Sequence, residues 1–315
     1  MVSAKKFELN LEQASAICKK HGLDNPKSIS RFSKGMINDV FSIDNKYVIK
    51  INTGSPEIKR FHKEYGLYRI LADKKIPVPE VYAYDDTNDI IGYDYILMEY
   101  ISGTTLSDIW NTLGEEEKNS MLIKLGKLLG SIHNIEFNNF GDEFLDGHFL
   151  GINNYQEYFN KNVKKILGLV KDGKTLSIEK IENIREYFNN KLFDIEVNGS
   201  LLHFNFNYDN IIVNKGKIKA VIDWEWSKSG HSEEELGIVI YRIIKNEAEK
   251  NEFLKGYRQS RNIDNDFGKR MYAYCLLYYL KVLPSVKLWN HKPEKQKEYY
   301  EETDKLFRRV INNEK

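Results

Sequence analysis

Apolar residues recur at helical spacing in Leu11, Ala14 and Ile17, and Asn10 stands where a cap would start a helix over 11–21. The pattern then turns to short β-type runs over 28–33, 39–43 and 46–52, the last two joined by a hairpin turn at Asp44-Asn45. Helical periodicity returns over 55–71, where Pro56 suits a first turn. Val78-Pro79-Glu80 opens an extended piece, and a further hairpin pairs 81–84 with 93–100 around the polar turn 85–89. After Gly103 the character becomes helical. Thr112-x-x-Glu115 reads as a capping box, and Met121, Leu122, Leu125, Leu128, Leu129 and Ile132 form one apolar stripe behind it. Helices are also expected over 155–169, 178–193 and 233–244 and through most of the region beyond Phe253. The strands expected in this half belong to one stretch, LLHFNFNYDNIIVNKGKIKAVIDWEW (201–226), which reads as strand, loop, strand, turn, strand. The plan is an α+β chain with a small β-rich lobe over 1–101, a connector at about 98–103, and a larger helical lobe over 104–315.

Composition narrows the class without naming the chemistry. A chain of 315 residues, 41% hydrophobic and 30% charged, has the make-up of a globular protein with a sizeable core. A formal net charge of +1, with Lys and Glu interspersed, offers no global pull toward nucleic acid. Cys18 and Cys275 lie far apart and lack the spacing of a zinc or redox pair, so reduced, buried thiols are expected. The start MVSAKKFELNLEQ has no signal-peptide core and no run reaches the length of a membrane span. A cytoplasmic protein without membrane contact is the expectation. Nothing in the sequence speaks to oligomeric state.

The stretch 201–226 carries the chemistry. His203, Asn205 and Asn210 have the spacing of a phosphotransfer loop, and Asp223 ends the apolar strand Ala220-Val221-Ile222. A carboxylate there is costly unless it meets a cation, and magnesium on nucleotide phosphates suits both it and the Asn210 amide. The plain alternative is a hairpin with a turn Asn and a capping Asp. His203 is expected to hold the loop by hydrogen bonds, without moving protons. Lys50 ends the run Tyr47-Val48-Ile49 and could meet the α- and β-phosphates if a carboxylate directs it. Glu64 is the candidate, with Glu57 as competitor. The segment Ser33-Lys34-Gly35-Met36-Ile37-Asn38 could cover the phosphates with backbone N–H groups, Gly35 and Asn38 among them, although a hairpin turn would look the same. At Met98, Glu99, Tyr100 and Ile101 the backbone would meet the purine.

These residues resemble the aminoglycoside phosphotransferase family, kinase relatives that phosphorylate small molecules. The matching pieces are HFNFNYDN (203–210), DWE (223–225), GHSEEELG (230–237), IPVP (76–79), LMEYISG (97–103) and LLGSIHNI (128–135), so the likeness spans about 28–245. Glu235 stands where the family usually has Asp. The resemblance implies a two-lobed protein-kinase-like fold and Mg2+-dependent transfer from ATP or GTP to a small-molecule hydroxyl, first of all that of an aminoglycoside-type antibiotic. By position, Asn210 and Asp223 would bind magnesium, and Lys50 with Glu64 would hold the nucleotide. Relatives acting on choline, homoserine, methylthioribose, fructosamine or macrolides keep other acceptors open. A cationic acceptor calls for acidic contacts, for which Glu225, Glu233, Glu234 and Glu235 are candidates. A solvated helix start is the alternative for 233–235.

Asn205 departs from that pattern, because it occupies the place of the general-base Asp. An amide accepts a hydrogen bond but is not basic, and general-base help is typically worth about 10²–10⁴-fold. Three explanations fit: an introduced substitution, a natural nucleotide-binding module without turnover, or replacement by another carboxylate, with Asp209 nearest in sequence. A protein-kinase role is disfavoured, since no Ala-Pro-Glu segment follows Asp223.

Overall fold

The computed structural model describes residues 7–32, 38–53, 60–189, 191–286 and 292–312. Two units make up the chain: 1–118 with 144–147 and 207–227, and 119–143 with 148–206 and 228–315. Residues 207–227 thus cluster with the first unit, while the residues on either side of them belong to the second.

The first unit begins with α1 (Leu11–Lys20), closed at its start by a reciprocal Asn10–Gln13 capping box. Strands β1 (Ile29–Arg31), β2 (Asp39–Ile43) and β3 (Tyr47–Ile51), helix α2 (Arg60–Asp73), and strands β4 (Val81–Asp85) and β5 (Tyr95–Glu99) follow. The strands form an antiparallel sheet in the order β1-β2-β3-β5-β4. Asp44 and Asn45 take positive φ at the β2–β3 turn, a conformation these short polar side chains tolerate. One sheet face packs with α1 around Ile17, Cys18, Phe41, Ile49, Ile51 and Leu97. Because side chains alternate along a strand, Lys50 points away from that core.

After β6 (Thr104–Thr105) and α3 (Leu106–Ile109), the long helix α4 (Glu115–His133) buries the whole expected stripe. Thr112 does not cap it. Its hydroxyl donates to the Ile109 carbonyl, whereas Glu117 accepts the N–H of Gly114, the residue before the helix. Strands β7 (Glu136–Phe137), β8 (Phe140–Leu145) and β9 (His148–Ile152) come next, then α5 (Tyr155–Asp172), α6 (Ile178–Phe188) and β10 (Gly199–Leu202). Strands β11 (Ile211–Asn214) and β12 (Lys217–Val221) join β6 in a sheet of the first unit. Their two-residue turn places Lys215 and Gly216 at positive φ, as a twisted hairpin requires. The chain ends with β13 (Lys228–Gly230), α7 (Ser232–Ile243), α8 (Glu247–Tyr257), α9 (Phe267–Val286) and α10 (Pro293–Ile311).

One expectation is corrected. The second half holds a five-stranded sheet, β7-β10-β13-β8-β9, and not only the strands of the 201–226 stretch. Asp146-Gly147, both at positive φ, turns β8 into β9, so a hairpin signal was present but lay inside a mixed polar stretch. The core of the second unit gathers α5, α6, α9 and α10 around Phe159, Phe188, Phe193, Tyr274 and Leu306. Cys18 and Cys275 are both buried and unbridged, and burial pushes both thiols up. The architecture is bilobal α+β, with a smaller β-rich N-terminal region and a larger helical C-terminal region, the plan of a kinase-like fold. No helix of the described residues is long and apolar enough to cross a membrane.

Candidate functional site

Two polar clusters, one in each unit, gather several of the residues singled out above. In the first unit β3 presents Lys50 to α2 and to the turn after β12. Its Nζ lies 2.9 Å from Glu64 Oε2, 2.7 Å from Asp223 Oδ1 and 3.8 Å from Glu225 Oε2. Lys50 and Glu64 are both buried. Burial opposes the charge on Lys50, but the Glu64, Asp223 and Glu225 carboxylates outweigh it and hold its pKa above the ordinary lysine value. Glu64 is fixed in turn: its Oε1 accepts the Tyr68 hydroxyl at 3.1 Å and the Trp224 N–H at 3.2 Å.

Asp223 reaches this cluster through an unusual backbone conformation, φ 69° and ψ 61°. That left-handed turn carries the chain from β12 into a short 3-10 helix, Trp224–Trp226, anchored by the fully buried Trp224. Glu225 is buried as well. Burial and the neighbouring carboxylates raise its pKa above the usual range, with Lys50 opposing. Asn38 donates to Glu225 Oε2 at 3.0 Å, so the structure joins a residue expected at the phosphates to one expected at the acceptor. Asn210 ends a 3-10 turn, and its carbonyl accepts the N–H of Ile222 at 3.0 Å, which sets it beside the residue preceding Asp223. Gly35 and Glu57 lie outside the described residues. At the connector, Met98 is buried, the Glu99 N–H donates to Glu80 and the Tyr100 N–H to Lys46, which ties this segment into the sheet. Ile101 is half-buried just beyond.

The second cluster is built around Glu235 on α7. Its Oε2 accepts the His203 N–H at 2.9 Å and its Oε1 the Phe204 N–H at 2.5 Å. His203, fully buried, accepts the N–H of Asn205 on Nδ1 at 3.2 Å. Phe204 has φ 61°, a costly conformation for a bulky residue, held from both sides by these bonds. Behind Glu235, His133 Nε2 lies 3.1 Å from Oε2, and His133 Nδ1 lies 2.8 Å from the Tyr257 hydroxyl. Burial lowers the His133 pKa, against the pull of Glu235.

The run 233–235 is not a solvated helix start. Glu233 takes Arg270 through Nε at 2.7 Å and Nη2 at 3.1 Å, Glu234 pairs with Lys228, and all three glutamates are buried. Sequence reading passed over Tyr68, His133, Lys228, Tyr257 and Arg270. His133 alone had a signal, inside the segment 128–135; the others are single residues whose partners lie far along the chain.

Among the described residues, no group of three or more His, Cys, Asp or Glu side chains forms a metal cage. Magnesium does not require one, because it keeps waters and binds through one or two carboxylates plus nucleotide phosphates. The donor chemistry fits: Lys50 is one ammonium facing three carboxylates, an excess of negative charge that a dication would balance.

Comparison with known proteins bears on the family and the fold. The model of the phosphotransferase enzyme family matches residues 28–270. Acyl-CoA dehydrogenase family member 11 of Gallus gallus is 24% identical over 65% of this chain, and family member 10 of Mus musculus is 24% identical over 65%. The chain spans only 26% and 19% of those relatives' own lengths. Among solved structures, one titled as a putative aminoglycoside phosphotransferase from Ralstonia eutropha superposes with a TM-score of 0.72 at 19% identity, covering 97% of this chain and 98% of that one. A streptomycin-ATP-APH(2")-IIa ternary complex gives 0.70 at 18% identity, covering 97% and 100%.

Proposed function

The chain belongs to the phosphotransferase enzyme family, and on that premise we propose that it moves the terminal phosphoryl group of ATP or GTP to a hydroxyl of a small molecule. The observation that carries this reading is Lys50 held between Glu64 and Asp223 at 2.9 and 2.7 Å. A lysine fixed by a helix carboxylate is placed to meet nucleotide phosphates. Asp223 and Asn210 would hold Mg2+, which when bound neutralises charge on the transferring phosphates. Backbone at Met98, Glu99, Tyr100 and Ile101 would flank the base, and Gly35 and Asn38 the phosphates.

Asn205 would accept a hydrogen bond from the acceptor hydroxyl and align it. Its N–H is tied to His203, and the loop backbone is tied to Glu235. Phosphoryl transfer leans on positioning and electrostatics more than on basicity, so an amide can support slow turnover. A second reading, a nucleotide-binding module without turnover, rests on that same amide. An aminoglycoside-type acceptor, the first expectation from the resemblance, requires carboxylates that meet ammonium groups. Glu225, Glu233 and Glu235 each face donors of the protein itself, and we assign them to the scaffold.

The test is steady-state ATP and GTP turnover with Mg2+ by this chain and by Asn205→Asp, against aminoglycosides, macrolides and small hydroxylated metabolites. A gain of about 10²-fold or more in the variant supports transfer with a missing base. Nucleotide binding with no turnover in either protein would favour the binding module.

A further inference from the structure

Lys228 is a buried lysine that the phosphotransfer reading does not use. It starts β13 in the second unit, pairs with Glu234, and lies 3.5 Å from the Tyr158 hydroxyl. Burial disfavours its charge, yet Glu234 and Tyr158 keep it a cation. Its Nζ sits 4.2 Å from the centre of the Phe204 ring, and Lys281 Nζ approaches the same ring at 5.4 Å. Two ammonium groups therefore flank the side chain that directly precedes Asn205. They border an opening at the surface, with Phe159, Ile166 and Leu277 among its apolar walls, whose enclosed part has room for about one water. Lys281 is exposed. The charged side chains lining the pocket are Lys228, Lys281 and Glu234, two cations against one anion.

We infer that the acceptor carries an anionic group, a carboxylate or a phosphate, received by Lys281 and Lys228, with its apolar body along the Phe204 ring. This rests on the phosphotransfer reading. A polycation would bring its ammonium groups against two lysines, and like charges brought together in a partly desolvated pocket repel strongly. Of the nearby carboxylates, Glu233 is bonded to Arg270, Glu235 to the His203 and Phe204 N–H groups and Glu234 to Lys228, while Asp142 acts on Lys281. An anion at the pocket mouth would meet Lys281 first and share the field of Lys228, leaving the Glu234 pair in place.

Calorimetric titration of the full chain with phenyllactate, methyl phenyllactate, glycerol phosphate and kanamycin tests the inference. One of the two anions should bind, the uncharged ester about tenfold more weakly or worse, and kanamycin least. Lys281→Glu should weaken the anion by about tenfold or more and leave the ester unaffected, with Mg·ATP binding as the control for folding. Preference for phenyllactate identifies a carboxylate, and preference for glycerol phosphate a phosphate. Equal affinity for acid and ester, tighter binding of kanamycin, binding of neither anion, or indifference to Lys281→Glu each overturns the proposal. Failure of the phosphotransfer reading shows separately, as nucleotide binding that is absent or insensitive to Lys50→Ala.

Discussion

Glu235 accepts the backbone N–H of His203 at 2.9 Å across 32 residues of chain, and so a carboxylate on α7 sets the shape of the loop that carries Asn205. With both oxygens receiving main-chain donors, its removal would leave one buried and one part-buried N–H group without that partner. Glu235→Leu should cost about 1–3 kcal/mol by denaturant unfolding and lower any turnover with it. Glu235→Asp tests the geometry separately: the shorter side chain keeps the charge, so reach alone should decide its activity. An unaltered unfolding midpoint for Glu235→Leu would show that the loop holds its shape without α7.

Lys50→Ala removes the ammonium that faces Glu64, Asp223 and Glu225. Breaking a buried pair by truncating one partner costs about 3–5 kcal/mol, because the other charge is left uncompensated. The variant should therefore unfold at lower denaturant and bind ATP far more weakly, with adenosine affinity much less affected. Equal losses for ATP and adenosine would point to a packing role for Lys50.

His231 supplies a pH dependence. It is buried with Nδ1 2.9 Å from the Tyr274 hydroxyl, and burial together with the Arg270, Arg261 and His133 charges pushes its pKa down to about 3. Its position just before the start of α7 also disfavours a positive charge. Below the ordinary histidine value of 6.5 the unfolded chain takes up the proton and the folded chain does not, so acid favours unfolding. Its contribution is complete above pH 6.5 and falls by about 1.4 kcal/mol per unit as the pH drops toward 3. Unfolding midpoints measured across that window should fall less steeply for His231→Gln. Parallel curves would remove His231 as a source of the acid sensitivity.

Gly126 and Gly256 mark a close crossing of α4 and α8. A Cβ on Gly126 would overlap the carbonyl oxygen of Phe253, and one on Gly256 that of Ile123. Backbone cannot move aside as a side-chain tip can, so either Gly→Ala change should destabilise by about 1–3 kcal/mol or more. Gly168, with nothing within 4 Å of its added Cβ, is the control: Gly168→Ala on α5 should be neutral or stabilising. Thermal denaturation of the three single variants gives the comparison.

Local pattern was sufficient wherever a residue's role depends on its near neighbours. The α4 stripe, the Asn10 cap and the β2–β3 and β11–β12 turns follow from periodicity and turn chemistry over a few residues. The spacing of His203, Asn205 and Asn210 and the strand before Asp223 were likewise legible, since they lie in one stretch of chain. Tertiary structure decided what meets them. Lys50 meets Asp223 across 173 residues, and His133 meets Glu235 across 102, with no local signal at either distance. The run 233–235 shows why: its charge pattern fits a wet helix start, and only packing buries the glutamates against Arg270, Lys228 and the loop backbone. A buried charge is defined by the partner that compensates it, and the fold chooses that partner from anywhere in the chain.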